Sequence, residues 1–278
     1  MRLAIAVLCA AAAPAAAAGG ELEATVRVGQ VVPFYEQSLH LDPGPFLQQT
    51  FPGITAQSVQ DLRLEGHGGL ALGGGLTWYV TGAFGFEARV DTADLSVSAD
   101  DAVVRLRVPL FPPLPPLTTD VVIAAQTDLE RPTPLSLNLK ARTGGAFRVY
   151  VSGGVSYLPS LRFTVHAAFR TAAPILGVPI DLARLSLRGE ALPEGEGQGR
   201  LGFNAGGGFT WPLGGHLALE ADARYFGFKE QTLVWSSEPG VTLNPVEQQL
   251  VRQLLDSLGD TKFNPNYFQA TAGLSIRF

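Results

Sequence analysis

The feature that most restricts the fold of this chain is a strict alternation of apolar and polar residues over segments of about 10–13 residues. In residues 216–228, Leu217 and Leu219 lie on one face, and Glu220 and Asp222 lie on the other. Side chains alternate across a β-strand, so each such segment predicts a strand with one apolar and one polar face. Soluble strands average about 5–6 residues, whereas a membrane-spanning strand needs about 9–11. The segment lengths therefore favour strands that cross a membrane over the strands of a soluble sandwich.

The same alternation predicts eight antiparallel strands, which together form an all-β, closed transmembrane β-barrel. They lie at about 22–34, 68–80, 83–95, 133–142, 147–158, 199–211, 216–228 and 265–278. Three pairs are joined by short turns at Val80–Gly82, Thr143–Gly145 and Pro212–Gly215. Periplasmic turns of such barrels are short and outer loops are long. The long connections, which we expect outside the cell, are 35–67, 96–132, 159–198 and 229–264.

A count of ten or twelve strands is the alternative, because further segments inside the long connections also alternate. They are 103–108 and 161–169, with 119–127 and 180–188 as their pairing partners. Even strand numbers are the rule in bacterial barrels, so both counts are allowed. We favour eight strands, with the extra segments extending hairpins above the membrane. These segments are shorter or less regular, and the sequence FPPLPPL at 111–117 would make an awkward periplasmic turn.

The first residues have the pattern of a secretory signal peptide. Arg2 precedes an apolar run, and Ala16 and Ala18 fit an A-x-A cleavage site. We therefore predict a signal peptide at 1–18 and an outer-membrane barrel domain at 19–278. Cleavage there removes Cys9, the single cysteine, so the mature chain is expected to have no disulfide.

The composition argues against a nucleic-acid-binding protein and agrees with β-structure that has one apolar face. Without Arg2, 19 Lys and Arg face 25 Asp and Glu, which gives a net charge of −6. Charged residues make up 16% of the chain, against about 25% in soluble domains. The sequence also has 32 glycines and no apolar segment of the length that a transmembrane helix needs.

The last segment, PNYFQATAGLSIRF, alternates up to a terminal Phe278. In this it resembles bacterial outer-membrane β-barrel proteins, in particular the small OmpA-like and OmpW-like barrels. The resemblance implies that the barrel-assembly machinery reads this strand, and the assembly signal would be Phe278, Ile276, Leu274 and Ala272. It also implies an outer-membrane location, with membrane lipid and lipopolysaccharide as neighbours. The resemblance lies in strands and turns and includes no shared binding motif.

Charged residues on the predicted inward faces form the main candidate site. Charges in a narrow interior are costly unless they are paired, so we expect a network that fills the lumen. Its predicted members are Arg27, Glu87, Arg89, Asp91, Lys140, Arg142, Arg148, Arg200, Glu220, Asp222, Arg224 and Arg277, with Glu23 on the same face. An aromatic girdle is predicted at Trp78, Trp211, Tyr157 and Tyr225.

Other candidate features point to no catalytic, cofactor or metal site. Residues 245–258 predict a short loop helix, because Asn244 can cap it and leucines recur at helical spacing. The histidines have no metal-binding spacing. His166 with Ser152 or Ser156 could in principle belong to a hydrolase, but no third partner is evident.

These observations give three functional hypotheses in order of preference. The first is a non-enzymatic barrel that serves envelope integrity or binds partners through its long outer loops. The second is an OmpW-like narrow conduit for small apolar solutes, and the third is a barrel-embedded hydrolase. An eight-stranded barrel has room inside only for its own side chains, so we expect no porin-like conductance.

Overall fold

The computed structural model describes residues 20–39, 53–109, 115–159, 161–169, 174–175, 178–179, 186–191, 200–237, 248–249, 251–252, 255 and 261–278. The predicted signal peptide lies outside these residues. The strands are β1 (Glu21–Pro33), β2 (Glu36–Leu39), β3 (Thr55–Gln60), β4 (Leu62–Tyr79), β5 (Phe84–Asp100), β6 (Ala102–Val108), β7 (Leu117–Leu129), β8 (Leu135–Arg142), β9 (Arg148–Leu158), β10 (Phe163–Phe169), β11 (Pro174–Ile175), β12 (Val178–Pro179), β13 (Ser186–Ala191), β14 (Arg200–Gly214), β15 (Leu217–Phe228), β16 (Gln231–Ser237), β17 (Lys262–Phe263) and β18 (Tyr267–Arg277).

Eight of these strands form a closed antiparallel ring. The order is β1-β18-β15-β14-β9-β8-β5-β4, and β4 pairs back onto β1. The ring closes because the first strand is hydrogen-bonded to the last, with Arg27 opposite Gly273. The three predicted short turns connect β4 to β5, β8 to β9 and β14 to β15. The prediction of an eight-stranded barrel is therefore confirmed.

The outer surface of the ring is apolar and exposed. Alternate residues of each ring strand point outward, and many of them are large. Examples are Val26, Val28, Leu72, Phe86, Leu137, Val151, Leu201, Phe203, Leu274 and Ile276. An exposed apolar belt around a closed sheet is expected where lipid surrounds the strands, because closure leaves no unpaired edge in the membrane.

A second sheet of seven strands lies in the connections between ring strands. Its order is β17-β16-β13-β10-β7-β6-β3. The segments 103–108 and 161–169, which the larger strand counts would place in the membrane, are in this sheet as β6 and β10. This agrees with the expectation that the extra segments extend hairpins above the membrane, and 119–127 lies in β7 of the same sheet.

Strand β5 runs through both parts of the molecule, and its two faces exchange character along its length. In the lower part, Phe86 points outward and is exposed, while Arg89 points inward and is buried. In the upper part, Leu95 and Val97 point inward and are buried, while Asp94 is exposed. The lower part is therefore surrounded by lipid with a polar interior, and the upper part is surrounded by water with an apolar interior. For this reason β5 continues to Asp100, beyond the end at about residue 95 that the sequence analysis predicts.

Strand β4 also has a polar lower interior face and an apolar upper interior face, and it achieves this with a β-bulge. Its register to β5 shifts between Gly68 and Ala71. Below the bulge odd-numbered residues such as Ala71 are buried, and above it even-numbered residues such as Leu64 are buried. One extra residue in the strand exchanges its faces, so apolar side chains remain inside the upper part. β4 consequently begins at Leu62 and not at about 68.

A cluster of aromatic rings closes the upper part above the polar interior. Tyr35, Phe163 and Phe263 come from three different connections, and the ring centroids of Phe163 and Phe263 are 4.4 Å apart. Tyr35 packs on Phe263 at 4.9 Å and on Phe163 at 6.0 Å. We call these three residues the aromatic cap. Just above the polar interior, Phe226 of β15 stacks on Tyr267 of β18 at 4.9 Å.

The predicted loop helix at 245–258 is described in part. Residues 248, 249, 251, 252 and 255 have helical backbone, and the rest of the segment lies outside the described residues. Val251 is buried against the upper apolar core.

Candidate functional site

The guanidinium of Arg27 bridges carboxylates on two other strands at the centre of the barrel interior. Its Nη2 atom lies 2.9 Å from Glu87 Oε1 on β5 and 2.9 Å from Glu220 Oε1 on β15. These three side chains are 1% exposed or less. β5 and β15 lie opposite each other in the ring, so this bridge spans the lumen.

Lys140 on β8 supports the same two carboxylates from the far side. Its Nζ atom lies 3.7 Å from Glu220 Oε1 and 3.8 Å from Glu87 Oε1. It also lies 4.0 Å from the ring centroid of Tyr150, a cation–π distance. The Tyr150 hydroxyl donates to Glu220 Oε1 at 2.6 Å. Each central carboxylate therefore has more than one cation, which offsets the cost of burial.

A second group of charges lies on the upper side of this centre. Arg89 pairs with Asp91 on its own strand and, at 2.7 Å, with Asp222 on β15. Arg224 lies 3.3 Å from Asp222 and 3.5 Å from Glu87, so it joins the two groups. The pairs again connect β5 with β15.

A third group occupies the mouth beside the short turns, the end that the sequence analysis predicts to face the periplasm. Arg142 Nη2 lies 2.6 Å from Glu21 Oε2, and Arg148 lies 3.4 Å from the same carboxylate. Arg277 lies 3.5 Å from Glu21 and 3.3 Å from Glu23. Three arginines from β8, β9 and β18 thus meet two acids from β1.

Uncharged polar side chains complete the interior on the β8, β9 and β14 side. The hydroxyls of Ser136 and Ser156 are 2.8 Å apart. Asn204 Nδ2 donates to Asn138 Oδ1 at 2.8 Å and to Ser156 Oγ at 2.9 Å. Arg224 donates to Asn204 Oδ1. This side of the interior is a continuous hydrogen-bond network.

Glycines on the inward faces leave room for the arginine side chains. A Cβ atom at Gly273 would lie 2.1 Å from the Val26 carbonyl oxygen and 3.0 Å from Arg27 Cγ, and one at Gly206 would lie 2.5 Å from the Ala223 carbonyl oxygen and 2.9 Å from Arg224 Cβ. Glycine at these two positions therefore lets the backbone of the neighbouring strand and its inward arginine approach closely.

The structure brings most of the predicted lumen charges together. Eleven of the twelve form ion pairs with one another, with Glu21 or with Glu23. Arg200 is half-buried at the upper end of β14, opposite Leu158. Glu21 was missed, although it shares the odd-numbered face of Glu23. Tyr150 was also missed, because an inward tyrosine carries no charge that would mark it.

The predicted girdle residues lie at the two ends of the apolar belt. Trp78 stacks on Phe86 at 6.5 Å, and Trp211 packs edge-on against Phe147 at 6.2 Å, both beside the short turns. Tyr225 lies at the other end, as does Tyr157, which is 39% exposed.

The predicted assembly residues share the outward face of β18. Ala272, Leu274 and Ile276 are exposed, and Phe278 is 72% exposed. The Phe278 backbone N–H donates to the carbonyl of Leu22 at 2.8 Å. The end of the chain therefore takes part in closing the ring.

The residues considered for a hydrolase lie in different parts of the molecule. His166 is in the second sheet between β7 and β13, on the face opposite the apolar core. Ser156 and Ser152 point into the barrel interior, where Ser152 accepts a hydrogen bond from Arg224. The structure does not bring this histidine to either serine.

No group of three or more His, Cys, Asp or Glu side chains in the described ranges could hold a metal ion. In the same part of the chain, no helix has the length and apolar character to cross a membrane.

The closed ring of eight strands, its apolar outer belt and its polar interior decide the fold class. The protein is a closed, eight-stranded antiparallel β-barrel with the surface pattern of a barrel that spans a membrane. The resemblance to the small outer-membrane barrels is thereby confirmed at the level of the fold.

Comparison with known proteins gives similar folds at low sequence identity. No protein-family model matches this barrel, and no curated protein matches it. The outer membrane protein OprG from Pseudomonas aeruginosa is 15% identical, with a TM-score of 0.41, covering 93% of this chain and 96% of that one. Neisserial surface protein A is 8% identical, with a TM-score of 0.38, covering 93% and 97%. The outer membrane protease OmpT from Escherichia coli is 10% identical, with a TM-score of 0.40, covering 93% and 97%.

Proposed function

We propose that this protein is a closed, non-enzymatic barrel that presents its second sheet at the cell surface, for envelope integrity or partner binding. The observation that carries the proposal is the filled interior. Ion pairs of Arg27 and Arg89 cross the lumen from β5 to β15. Above them, the aromatic cap and the apolar core occupy the upper part. A barrel filled in two layers has no wide aqueous path, so its outer surface is the part available for a role.

Planar bilayers test whether the barrel is closed. Purified protein should give no steady, porin-sized conductance. The double variant Arg27→Ala, Arg89→Ala shortens the two side chains that cross the lumen and serves as the comparison. Steady conductance of the unmodified barrel would refute the proposal.

A surface-binding role has a separate test. A variant in which a short turn replaces β6 and β7 should still insert and show the heat-dependent gel migration of a folded barrel. It should lose binding to cells or to envelope components that the unmodified protein retains. Equal binding by both proteins would count against a role for the second sheet.

A second candidate is an OmpW-like conduit for small apolar solutes, and one observation favours it. The upper interior is apolar from Phe226 and Phe228 upward, so an apolar solute would meet compatible side chains there. Under this alternative, Phe163→Ala would enlarge the path and speed uptake of an apolar dye into proteoliposomes. An unchanged rate supports the closed barrel.

The route of this protein to its location is also a proposal. We propose that residues 1–18 are removed on secretion and that the barrel-assembly machinery recognises Phe278, Ile276, Leu274 and Ala272. Their common outward face supports this. Lipopolysaccharide is the proposed lipid neighbour of the upper belt. N-terminal sequencing of purified protein should begin at Gly19, and a sequence that begins at Met1 would contradict the cleavage.

A further inference from the structure

A groove on the outer surface of the barrel lies within the apolar belt. It has a volume of about 560 Å³ and crosses β5, β8 and β9. Its floor is formed by Ala141 and Gly153, two small residues on the outward face of the sheet. Its walls are larger outward side chains that are each more than half exposed, namely Phe84, Phe86, Leu139 and Val151. We call this depression the outer groove.

The strand register explains the direction of the outer groove. Ala141 lies between Phe84 and Val151 in one row across the sheet, and Gly153 lies in the next row, on the neighbouring strand. The two small residues are therefore diagonal neighbours, and the depression runs obliquely down the barrel wall. It ends at the short turn between β4 and β5, where Val80 lines it.

The outer groove covers about half of the membrane-spanning height. Its upper end is at Gly153, five residues above Arg148, the first residue of β9. At about 3.4 Å per residue and a strand tilt of about 40°, five residues rise about 13 Å. The apolar band of a membrane barrel is about 25 Å tall, so one leaflet accounts for about 12 Å of it. The groove thus has the length of one leaflet.

A hydroxyl group lies at the lower end of the outer groove. It belongs to Thr81, which lines the groove in the exposed turn between β4 and β5. Thr81 Oγ1 accepts hydrogen bonds from the backbone N–H groups of Ala83, at 3.3 Å, and Phe84, at 3.0 Å. These bonds fix the oxygen, and its proton can still be donated, because the described residues offer no acceptor for it. The groove is thus apolar along its length, with a hydrogen-bond donor at the end near the membrane surface.

We propose that the outer groove binds one acyl chain of a phospholipid, whose ester group accepts a hydrogen bond from Thr81. An apolar slot with a polar group at one end is typical of a site that orients its ligand by that group. Because lipid surrounds the belt, the occupant has to come from the membrane, and the length of the groove matches a chain that belongs to one leaflet.

The position of the groove decides which lipid it takes. The groove ends at the short turns, and the proposed orientation places these turns in the periplasmic leaflet, where phospholipid is found and lipopolysaccharide is not. The inference depends on this orientation. It goes beyond the surface role, because the site lies at the opposite end of the barrel from the second sheet.

Native mass spectrometry measures the bound lipid. The protein is reconstituted into nanodiscs of phosphatidylethanolamine and phosphatidylglycerol and then released into mild detergent, where the unmodified barrel should keep one phospholipid. Ala141→Phe fills the floor of the groove and should lower the lipid-bound fraction several-fold. The matched control is Ala223→Phe, which places the same ring at an exposed outward position of β15, outside the groove, and should leave that fraction unchanged.

Three results would overturn the proposal. The first is equal lipid retention by the two phenylalanine variants, and the second is a lipid-free dimer of the unmodified barrel, because a second copy of the chain would then cover the belt. The third is displacement of the phospholipid by added lipid A, which would contradict the choice of lipid. Thr81→Ala should also weaken retention, and Thr81→Ser, which keeps the hydroxyl, should not.

A photoactivatable phospholipid tests the site in the unmodified barrel and decides if Ala141→Phe does not insert. With a diazirine in its acyl chain, it should cross-link to residues 80–86 and 139–153 several times more than to 217–228, which lie on the other side of the belt. Equal cross-linking of these segments would contradict the site. Neither experiment depends on conductance, so failure of the closed barrel and failure of the lipid site are distinguishable.

Discussion

Replacing Arg27 by Met should destabilise the barrel by an amount that the contacts allow us to estimate. The variant removes the guanidinium that lies 2.9 Å from both Glu87 and Glu220. Removing one partner of a buried ion pair costs about 3–5 kcal/mol, because the remaining charge is left buried. Glu220 keeps the Tyr150 hydroxyl at 2.6 Å, and both acids keep Lys140 within 3.8 Å. The lower end of the range, about 3 kcal/mol, is therefore expected.

Urea unfolding in lipid vesicles, followed by tryptophan fluorescence, measures this loss. With an m-value of about 2 kcal/mol/M, a loss of about 3 kcal/mol lowers the midpoint by about 1.5 M. The matched control is Arg105→Met, which breaks an Arg–Asp pair of similar geometry at 2.7 Å on the exposed second sheet. That control should leave the midpoint unchanged, because exposed pairs contribute little. Equal midpoints for the two variants would refute the argument that the lumen network holds the barrel together.

Three further predictions concern other parts of the molecule. Burial raises the pKa of Tyr35 above the ordinary tyrosine value of about 10, so the protonated hydroxyl stabilises the fold below that pH. This stabilisation is lost as the pH rises above about 10, and Tyr35→Phe should therefore reduce the alkaline loss of stability seen in unfolding curves. Gly154→Ala should cost about 1–3 kcal/mol in the same unfolding assay, because its Cβ would collide with the backbone of β8, whereas Gly82→Ala, with open space around it, should be neutral. Phe278→Ala should lower the yield of inserted barrel several-fold in membrane fractions, and Leu213→Ala, also exposed near the short turns, should not.

The membrane part of the fold could be predicted from sequence because lipid imposes a rule with a period of two. Each ring strand must place apolar residues outward, so segments such as 216–228 show their faces directly. In the upper part water surrounds the strands, so their outward residues are polar and their inward residues are apolar, as in a soluble sheet. β5 changes from one pattern to the other beyond Asp91, so a single alternating pattern predicts an end of the strand that is too early.

The candidate site could be predicted in its members but not in its pairings. The sequence places Arg27 and Glu220 on inward faces, yet their contact depends on ring order and register. Those are set by the pairing of β1 with β18 and of β18 with β15, which no local pattern encodes.

The exchange of faces along β5 also fixes how far the protein projects from the cell. The strand has 17 residues, which corresponds to about 58 Å of chain at about 3.4 Å per residue. With a tilt of about 40°, it rises about 44 Å, and about 25 Å of that height lies in the apolar band. The second sheet therefore stands about 20 Å above the hydrocarbon. Under the proposed surface role, a partner of this sheet would have to approach to within the headgroup layer, so small or slender molecules would have access that bulky ones lack.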